Sequence, residues 1–367
     1  MSYELTFLGT SGGPSEQGNC CLLIKPAGLS YSQVLEAQEK SLLMIDAGSG
    51  WQALAETILN GSNGCSEDSR IFSRQLAMYE DSLLPHQYLG IPASGPFSKL
   101  KGSPLENSRR IFSKIAATLL SHPHLDHIQS MVLNSAGAAN EGDKTAMYAS
   151  KFTTDALNTH IFNGVIWPDL VSLGFLTLET ISEGERLTLV EGQYTVTYFE
   201  VSHGLVANKC HPVGPYSSSA FLICSNVDQV KMLVFGDFEP DSISRCDKNS
   251  AVWKHVAPSV LDGTLKCVVV ECSTFNRDPG ANLYGHMTPS HLMAEFQRLE
   301  SFCAEKSDGS QAKPHVSDLK VIVTHVKETY DGKDPRRRIL SELQQLNESL
   351  GLNLNVSIAT NGISVVV

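Results

Sequence analysis

Short apolar runs bounded by glycine, proline and small polar residues dominate the chain. Tyr3 to Gly9 (YELTFLG) alternates with the period of two that a half-buried strand needs, then enters the glycine turn TSGGP. CLLIK and SLLMID read as two further strands, with PAGLSYSQVLEAQEK between them as a loop or short helix. Gly48 to Leu59 (GSGWQALAETIL) has the helical spacing of apolar residues. Further on, KIAATLLSH, TAMYAS, FLTLETI, YTVTYFEVSHG, LKCVVVECS, SDLKVIVTHVK, LNVSIA and GISVVV read as strands, and SSSAFLIC with KMLVFGD as a hairpin. KFTTDALNTHIF and TPSHLMAEFQRLE read as helices, and PRRRILSELQQLNESLG is a helix with proline in its first turn and glycine at its end. From Asn60 to about Ser113 the periodicity is weak and Ser, Gly and Pro are frequent. RIFSRQLAMYEDSLL within it suggests a helix, and the stretch as a whole reads as an irregular insertion that decorates the domain. Strands come in runs and then alternate with helices, in two halves. That order predicts an α/β fold in which two sheets pack together with helices outside, an αββα sandwich spanning residues 1–367 as one domain with the insertion at about 60–113.

One apolar run ends in an unusual cluster. LLSHPHLDHIQSM, Leu119 to Met131, places His122, His124, Asp126 and His127 within six positions, in a chain with 12 histidines. In extended backbone, residues i and i+2 point the same way, so His122 and His124 can aim at one point. If the chain then turns, Asp126 and His127 can aim at a second point nearby. Imidazole nitrogen and carboxylate oxygen are ligands for zinc, and for manganese or iron as alternatives. The arrangement reads as two half-sites for two divalent ions rather than a histidine-rich surface loop. Further donors stand at strand ends: Asp46 after LLMI, His203 before Gly204, Asp237 after Gly236, and His325 after VIVT; His286 lies in a loop before a helix. Any one alone is more simply a structural histidine or turn aspartate; together with the cluster they form a series.

Composition narrows the function classes. Net charge is −11, which argues against an extended nucleic-acid partner but not against a small anion held by cations. No apolar run reaches membrane-spanning length and no secretory signal opens the chain. Nine cysteines without a C-x-x-C pair suggest a reduced, cytoplasmic protein with free thiols, Cys272 being a small apolar filler. Arg336 to Arg338 form a basic run at a helix start, read as a solvated face or local ion-pair partner.

The order His122-x-His124-x-Asp126-His127, His203, Asp237, His325 resembles the metallo-β-lactamase superfamily. The longer string HPHLDHIQSMVLNSA resembles the signature of the class II, fungal-type cyclic-nucleotide phosphodiesterases. FLGTSGGP, HIFNGVIWPDL, GDFEPD, ECS, YGHMTP, THVK and DPR agree with that family over nearly the whole chain. The resemblance implies a metallo-β-lactamase-like αββα fold with two metal ions, zinc first among the candidates. It implies that His122, His124, His203 and Asp237 hold one ion and Asp126, His127, His325 and Asp237 the other, Asp237 bridging. A carboxylate can span a pair of ions about 3.5–4 Å apart, whereas an imidazole offers each ion one nitrogen.

The implied reaction is hydrolysis of 3′,5′-cyclic AMP, with cyclic GMP as a second candidate, to the 5′-nucleotide through a metal-bridging hydroxide. His286 is the candidate general acid for the leaving 3′-oxygen, or else a cap for the helix that follows. Asp46 is expected behind a ligand histidine, or in a turn. Asn134, Asn163, Trp167, Phe162 and the hydroxyls of YSSSA are candidates for holding the base, as is His286 for binding substrate; the aromatic residues read more simply as core. The alternatives on the same scaffold are a transfer-RNA 3′-end endonuclease, whose basic exosite this acidic chain lacks, and an arylsulfatase-like esterase. The resemblance is consistent with a homodimer; no membrane or nucleic-acid polymer is expected as a partner.

Overall fold

The computed structural model describes residues 3–62, 74–138, 145–208, 211–278, 280–307 and 313–367. The first half contains β1 (Tyr3–Gly9), β2 (Ser11–Gly12), β3 (Cys21–Pro26), α1 (Tyr31–Glu36), β4 (Leu42–Ile45), α2 (Trp51–Ser62), α3 (Arg74–Ala77), β5 (Ala93–Ser94) and α4 (Pro104–Phe112). It continues through β6 (Ile115–Leu120), α5 (Leu125–Ala138), β7 (Thr145–Ser150), α6 (Lys151–Ala156) and β8 (Leu176–Ile181). The second half contains β9 (Arg186–Leu189), β10 (Tyr194–Asn208), β11 (His211–Ser225), β12 (Lys231–Phe235), α7 (Asp241–Ser244), α8 (Lys248–Leu261) and β13 (Leu265–Glu271). The chain closes with α9 (Pro289–Lys306), β14 (Lys320–Thr324), β15 (Val326–Lys327), α10 (Pro335–Leu350), β16 (Asn355–Ile358) and β17 (Ser364–Val366).

One sheet has the order β5-β17-β1-β3-β4-β6-β7-β8 and the other β16-β14-β13-β12-β11-β10-β9; the short pair β15–β2 joins them. Alternation along the strands sorts side chains between layers. In the second sheet Phe221, Ile223, Met232, Val234, Cys267, Val269 and Ile322 pack toward the first sheet. Their neighbours Leu222, Leu233, Val268, Val270, Val321 and Val323 pack with Trp253, Phe296 and Leu343 of α8, α9 and α10. On the far side, Leu23, Met44 and Leu120 meet Leu54 of α2, Ile111 of α4 and Ile128 of α5. This is the expected αββα sandwich.

Three features depart from the sequence reading. The stretch at 60–113 is built into the fold rather than hung on it. Its residues 63–73 lie outside the described residues, as does the start of the helix expected there, and of that helix only the single turn Arg74–Ala77 appears. Leu76 and Tyr88 are fully buried against the second helical layer, Phe97 and Ile111 against the first, and β5 pairs with β17. Second, β10 does not stop at His203. It continues into a long hairpin with β11, and the pairing register shifts between Ser202 and Leu205. Third, Arg336 is buried, paired with Glu328 and with Asp334 at 2.9 Å, while Arg337 and Arg338 are exposed.

Candidate metal centre

The site stands where the central strands of both sheets end. β4 and β6 run parallel, as do β12, β13 and β14, so their carboxyl ends point the same way. Asp46 follows β4, His122 and His124 follow β6, Asp237 follows β12, Glu271 ends β13 and His325 follows β14. Asp126 and His127 fall in the first turn of α5, which begins at Leu125, directly after the histidine pair. His203 sits at the shift in β10; a bulge of this kind re-aims a side chain that regular pairing would place elsewhere.

The backbone is shaped to bring these residues together. Asp46 and His325 have left-handed φ values of 53° and 57°, uncommon for non-glycine residues. A Cβ on Gly48 would lie 1.9 Å from the Asp126 carbonyl oxygen, so glycine alone lets the Asp46 loop approach α5. That loop also accepts the amides of Ser130 and Met131 at the Ala47 carbonyl, at 3.0 and 3.2 Å.

Asp237 is the centre. Its Oδ2 lies 3.1 Å from His325 Nε2 and 3.7 Å from His122 Nε2, His203 Nε2 and His286 Nδ1. His124 turns Nδ1 inward, 3.0 Å from His122 Nε2 and 3.3 Å from His203 Nε2. His122, His124, His203 and Asp237 each place one donor atom within 4.8 Å of the others. The second half brings further donors beside the expected ones. Asp237, His286 and His325 form one such set, and Cys20, His127 and His325 another. Asp126 approaches His325 Nε2 at 3.3 Å while accepting the Gly13 amide at 2.8 Å. Cys20, just before β3, joins the centre as a further donor. Its thiol is pushed up by burial and by Asp237, Asp46 and Asp126, and its sulfur points at the Ser11 carbonyl at 3.7 Å.

Two buried atoms test whether a cation fits. His127 Nε2 and Asp237 Oδ1 face each other at 3.3 Å, and neither makes a hydrogen bond. A buried polar atom without a partner is costly, and a divalent cation satisfies a lone pair on each. Nitrogen and carboxylate donors of this kind suit such an ion.

Carboxylates behind the ring orient it. Asp46 accepts His127 Nδ1–H at 2.7 Å, the Ser121 hydroxyl at 2.8 Å and the Ser121 amide at 2.8 Å, which leaves His127 Nε2 to face inward. Glu271 does more. It takes His286 Nδ1–H at 3.0 Å, the Phe238 amide at 3.0 Å, the Met287 amide at 3.3 Å and the Ser273 hydroxyl at 2.8 Å. Ser273 Oγ in turn meets His325 Nδ1 at 2.8 Å. His203 Nδ1–H donates to the Gly285 carbonyl at 2.7 Å.

Charge follows this geometry. Burial alone would raise the Asp237 carboxyl, but the imidazoles, His325 and His127 foremost, hold it well below the carboxylate range. Burial opposes a proton on His127 and His286, yet Asp237 and Asp46 raise the first, and Glu271 the second. Burial pushes His203 down to about 4 and His122 well below its usual value.

Of the residues expected to hold a base, YSSSA lies against the centre, while Asn134, Asn163 and Trp167 make other contacts. Asn134 accepts the Trp51 amide at 3.1 Å, at the start of α2. Asn163 is exposed and accepts the amides of Val165 and Ile166 at 2.9 Å, closing its own turn. Trp167 packs against the core of the first sheet, where Phe162 is buried. In YSSSA, Ser219 donates to the Ser121 carbonyl at 2.7 Å, Ser218 lies 3.5 Å from His122 Nδ1, and the Tyr216 ring stacks on His124 at 4.5 Å. Glu271 and Ser273 carry no role in the sequence reading, although Glu271 shows the same signal as Asp237, a carboxylate closing an apolar strand. His286 does not cap a helix: Thr288 is the cap residue of α9.

Comparison with known proteins places this geometry. A family model for the class II cAMP phosphodiesterases matches residues 44–362. A 3′,5′-cyclic-nucleotide phosphodiesterase of Candida albicans is 32% identical, with all of both chains covered. 3′,5′-Cyclic-nucleotide phosphodiesterase 1 of Saccharomyces cerevisiae is 30% identical over 98% of each chain. The crystal structure of unliganded yeast PDE1 superposes with a TM-score of 0.83 at 28% identity, covering 100% of this chain and 99% of that one. A metallo-β-lactamase-fold protein of Bacillus subtilis, 14% identical, matches with a TM-score of 0.52 over 99% of each chain and shows the shared fold. With its family model spanning the histidine cluster and the strand-end carboxylates alike, the chain belongs to the class II cAMP phosphodiesterases.

Proposed function

We propose that the protein opens 3′,5′-cyclic AMP, and cyclic GMP as a second substrate, to the 5′-nucleotide at a centre for two divalent ions, zinc by preference. The observation that carries this reading is the unpartnered pair His127 Nε2 and Asp237 Oδ1 inside a ring of imidazoles, with the His286–Glu271 pair beside it. His122, His124, His203 and Asp237 would hold one ion. Asp126, His127, His325 and Asp237 would hold the other, with Cys20 and His286 also close to that half. When bound, the ions supply a nucleophilic water at neutral pH and neutralise charge on the phosphate.

The chain's own groups do the rest. His286, with Nδ1 engaged by Glu271, would hand the proton on Nε2 to the departing 3′-oxygen. Glu271 favours the charged form of that imidazole and so raises its proton affinity. Asp46 and the Gly285 carbonyl fix which nitrogen His127 and His203 turn inward. The seven described cysteines are unpaired, which supports a reduced compartment, and no helix among the described residues is long and apolar enough to cross a membrane.

The test is product analysis with cyclic AMP before and after chelation and zinc add-back. We expect 5′-AMP without 3′-AMP, lost on chelation and restored by zinc. A folded, zinc-loaded protein that leaves cyclic AMP intact would overturn the reading.

A further inference from the structure

Three large apolar side chains stand in solvent beside residues of the centre. Leu125, between His124 and Asp126, is 64% exposed; Leu205, two positions after His203, is 66% exposed; Tyr284, two before His286, is 70% exposed. Scattered exposed apolar residues are ordinary. These come from three separate segments that converge, since the ring of His203 lies 5.0 Å from His124 and 4.8 Å from His286.

Tyr284 is fixed by its turn. Its φ is 53°, in the left-handed region, and Gly285 follows at 83°. A Cβ on Gly285 would lie 2.7 Å from the His203 carbonyl oxygen, and one on Gly204 would lie 3.5 Å from Gly285 Cα. The Tyr284–Gly285 turn and the His203–Gly204–Leu205 bulge therefore lie directly against each other. Tyr284 and Leu205 are each the chain neighbour of a glycine in that contact, and both are exposed. Left-handed backbone is uncommon at a bulky side chain, and such positions gather at active sites and ligand clamps.

We propose that Tyr284 and Leu205, with Leu125 beside His124, form the face on which the nucleobase of the cyclic nucleotide lies. The proposal rests on the phosphodiesterase reading above. The cyclic phosphate is drawn to the cationic centre, and the base, whose flat face is apolar, covers side chains that otherwise remain wet. Recognition is by the face of the ring, as in other stacking platforms for nucleobases.

The test compares Tyr284→Ala, Tyr284→Phe and Leu205→Ala on cyclic AMP and on the 3′,5′-cyclic phosphate of 1-deoxyribose, which has no base. Tyr284→Ala should raise KM for cyclic AMP about tenfold with kcat changed less than threefold, and Leu205→Ala should raise it about threefold. Tyr284→Phe should restore the wild-type KM, and the base-free substrate should show less than a twofold effect. An unchanged KM for cyclic AMP in Tyr284→Ala overturns the proposal. So does an equal loss on both substrates, which would mean that the tyrosine only shapes the turn before His286. A shift in oligomeric state with KM unaltered overturns it in favour of a second copy covering this face. Failure of the parent reading shows separately, as wild-type protein that turns over neither substrate, and the proposal falls with it.

Discussion

At the scale of single residues, the centre is an arrangement of lone pairs. Asp237 is 2% exposed and surrounded by imidazoles, so an amide in its place removes the one charge that all of them face. Asp237→Asn should lower bound metal to below one ion per chain by elemental analysis and reduce kcat/KM at least a thousandfold. Glu271 acts through others, holding His286 directly and His325 by way of Ser273. Glu271→Gln should cost about 10–100-fold in kcat/KM with metal content largely kept, and should displace the basic limb of the pH–rate profile. His203 gives a second pH effect, read on the metal-free protein. Its folded value is about 4 against 6.5 for an unperturbed histidine. Between those values the unfolded chain binds a proton that the folded chain does not, so stability falls as pH drops through that window. The urea midpoint of the apoprotein should therefore fall between pH 7 and pH 5; a midpoint indifferent to pH would count against this environment for His203.

At the scale of elements, the decisive contacts are between loops. Arg336, in the first turn of α10, is fully buried. Its partner Glu328 also accepts Ser11 Oγ at 2.6 Å, Gln75 Nε2 at 3.0 Å and the Tyr79 hydroxyl. One buried ion pair thus ties the loop after His325 to the first glycine turn and to the stretch that the sequence marks as an insertion. Removing one member leaves the other charged and buried, which costs about 3–5 kcal/mol. Arg336→Met should be destabilised by that amount in urea unfolding, and the double variant with Glu328→Gln should recover part of it. The sequence made α10 legible through Pro335 and Gly351, and the structure adds the Asp334 carboxylate on the Arg336 amide and a φ of 64° at Gly351. It did not disclose α8. That helix contains Pro258 and buries the polar side chains of Asn249 and Ser250, which bond Glu239 and Asp241. Polar residues on the inward face erase the apolar spacing by which a helix is recognised. The start of α5 at Leu125 was hidden for a related reason, since donor residues rather than apolar ones occupy its first turn.

At the scale of the whole molecule, two sheets deliver donors from both halves of the chain to one point. A divalent ion bound there would link the halves and stabilise the folded state by mass action, about 4 kcal/mol per site at a thousandfold excess over Kd. Chelation should lower the thermal midpoint, zinc should restore it, and Asp237→Asn should blunt the shift. The sequence by itself determined the sandwich, because period-two alternation states which side chains share a layer. It also determined most of the donors gathered at the centre, because His and Asp closing apolar strands have few other uses at that density. Only the tertiary structure decided what surrounds them. Glu271 and Ser273 behind His286 and His325, Cys20 beside His127, and Gly285 against the His203 bulge are distant in sequence and meet because parallel strands end together. The same packing sets Asn134 on the Trp51 amide and Trp167 against the core of the first sheet. Contacts of that kind depend on which strand ends become neighbours, and no local pattern of residues encodes that.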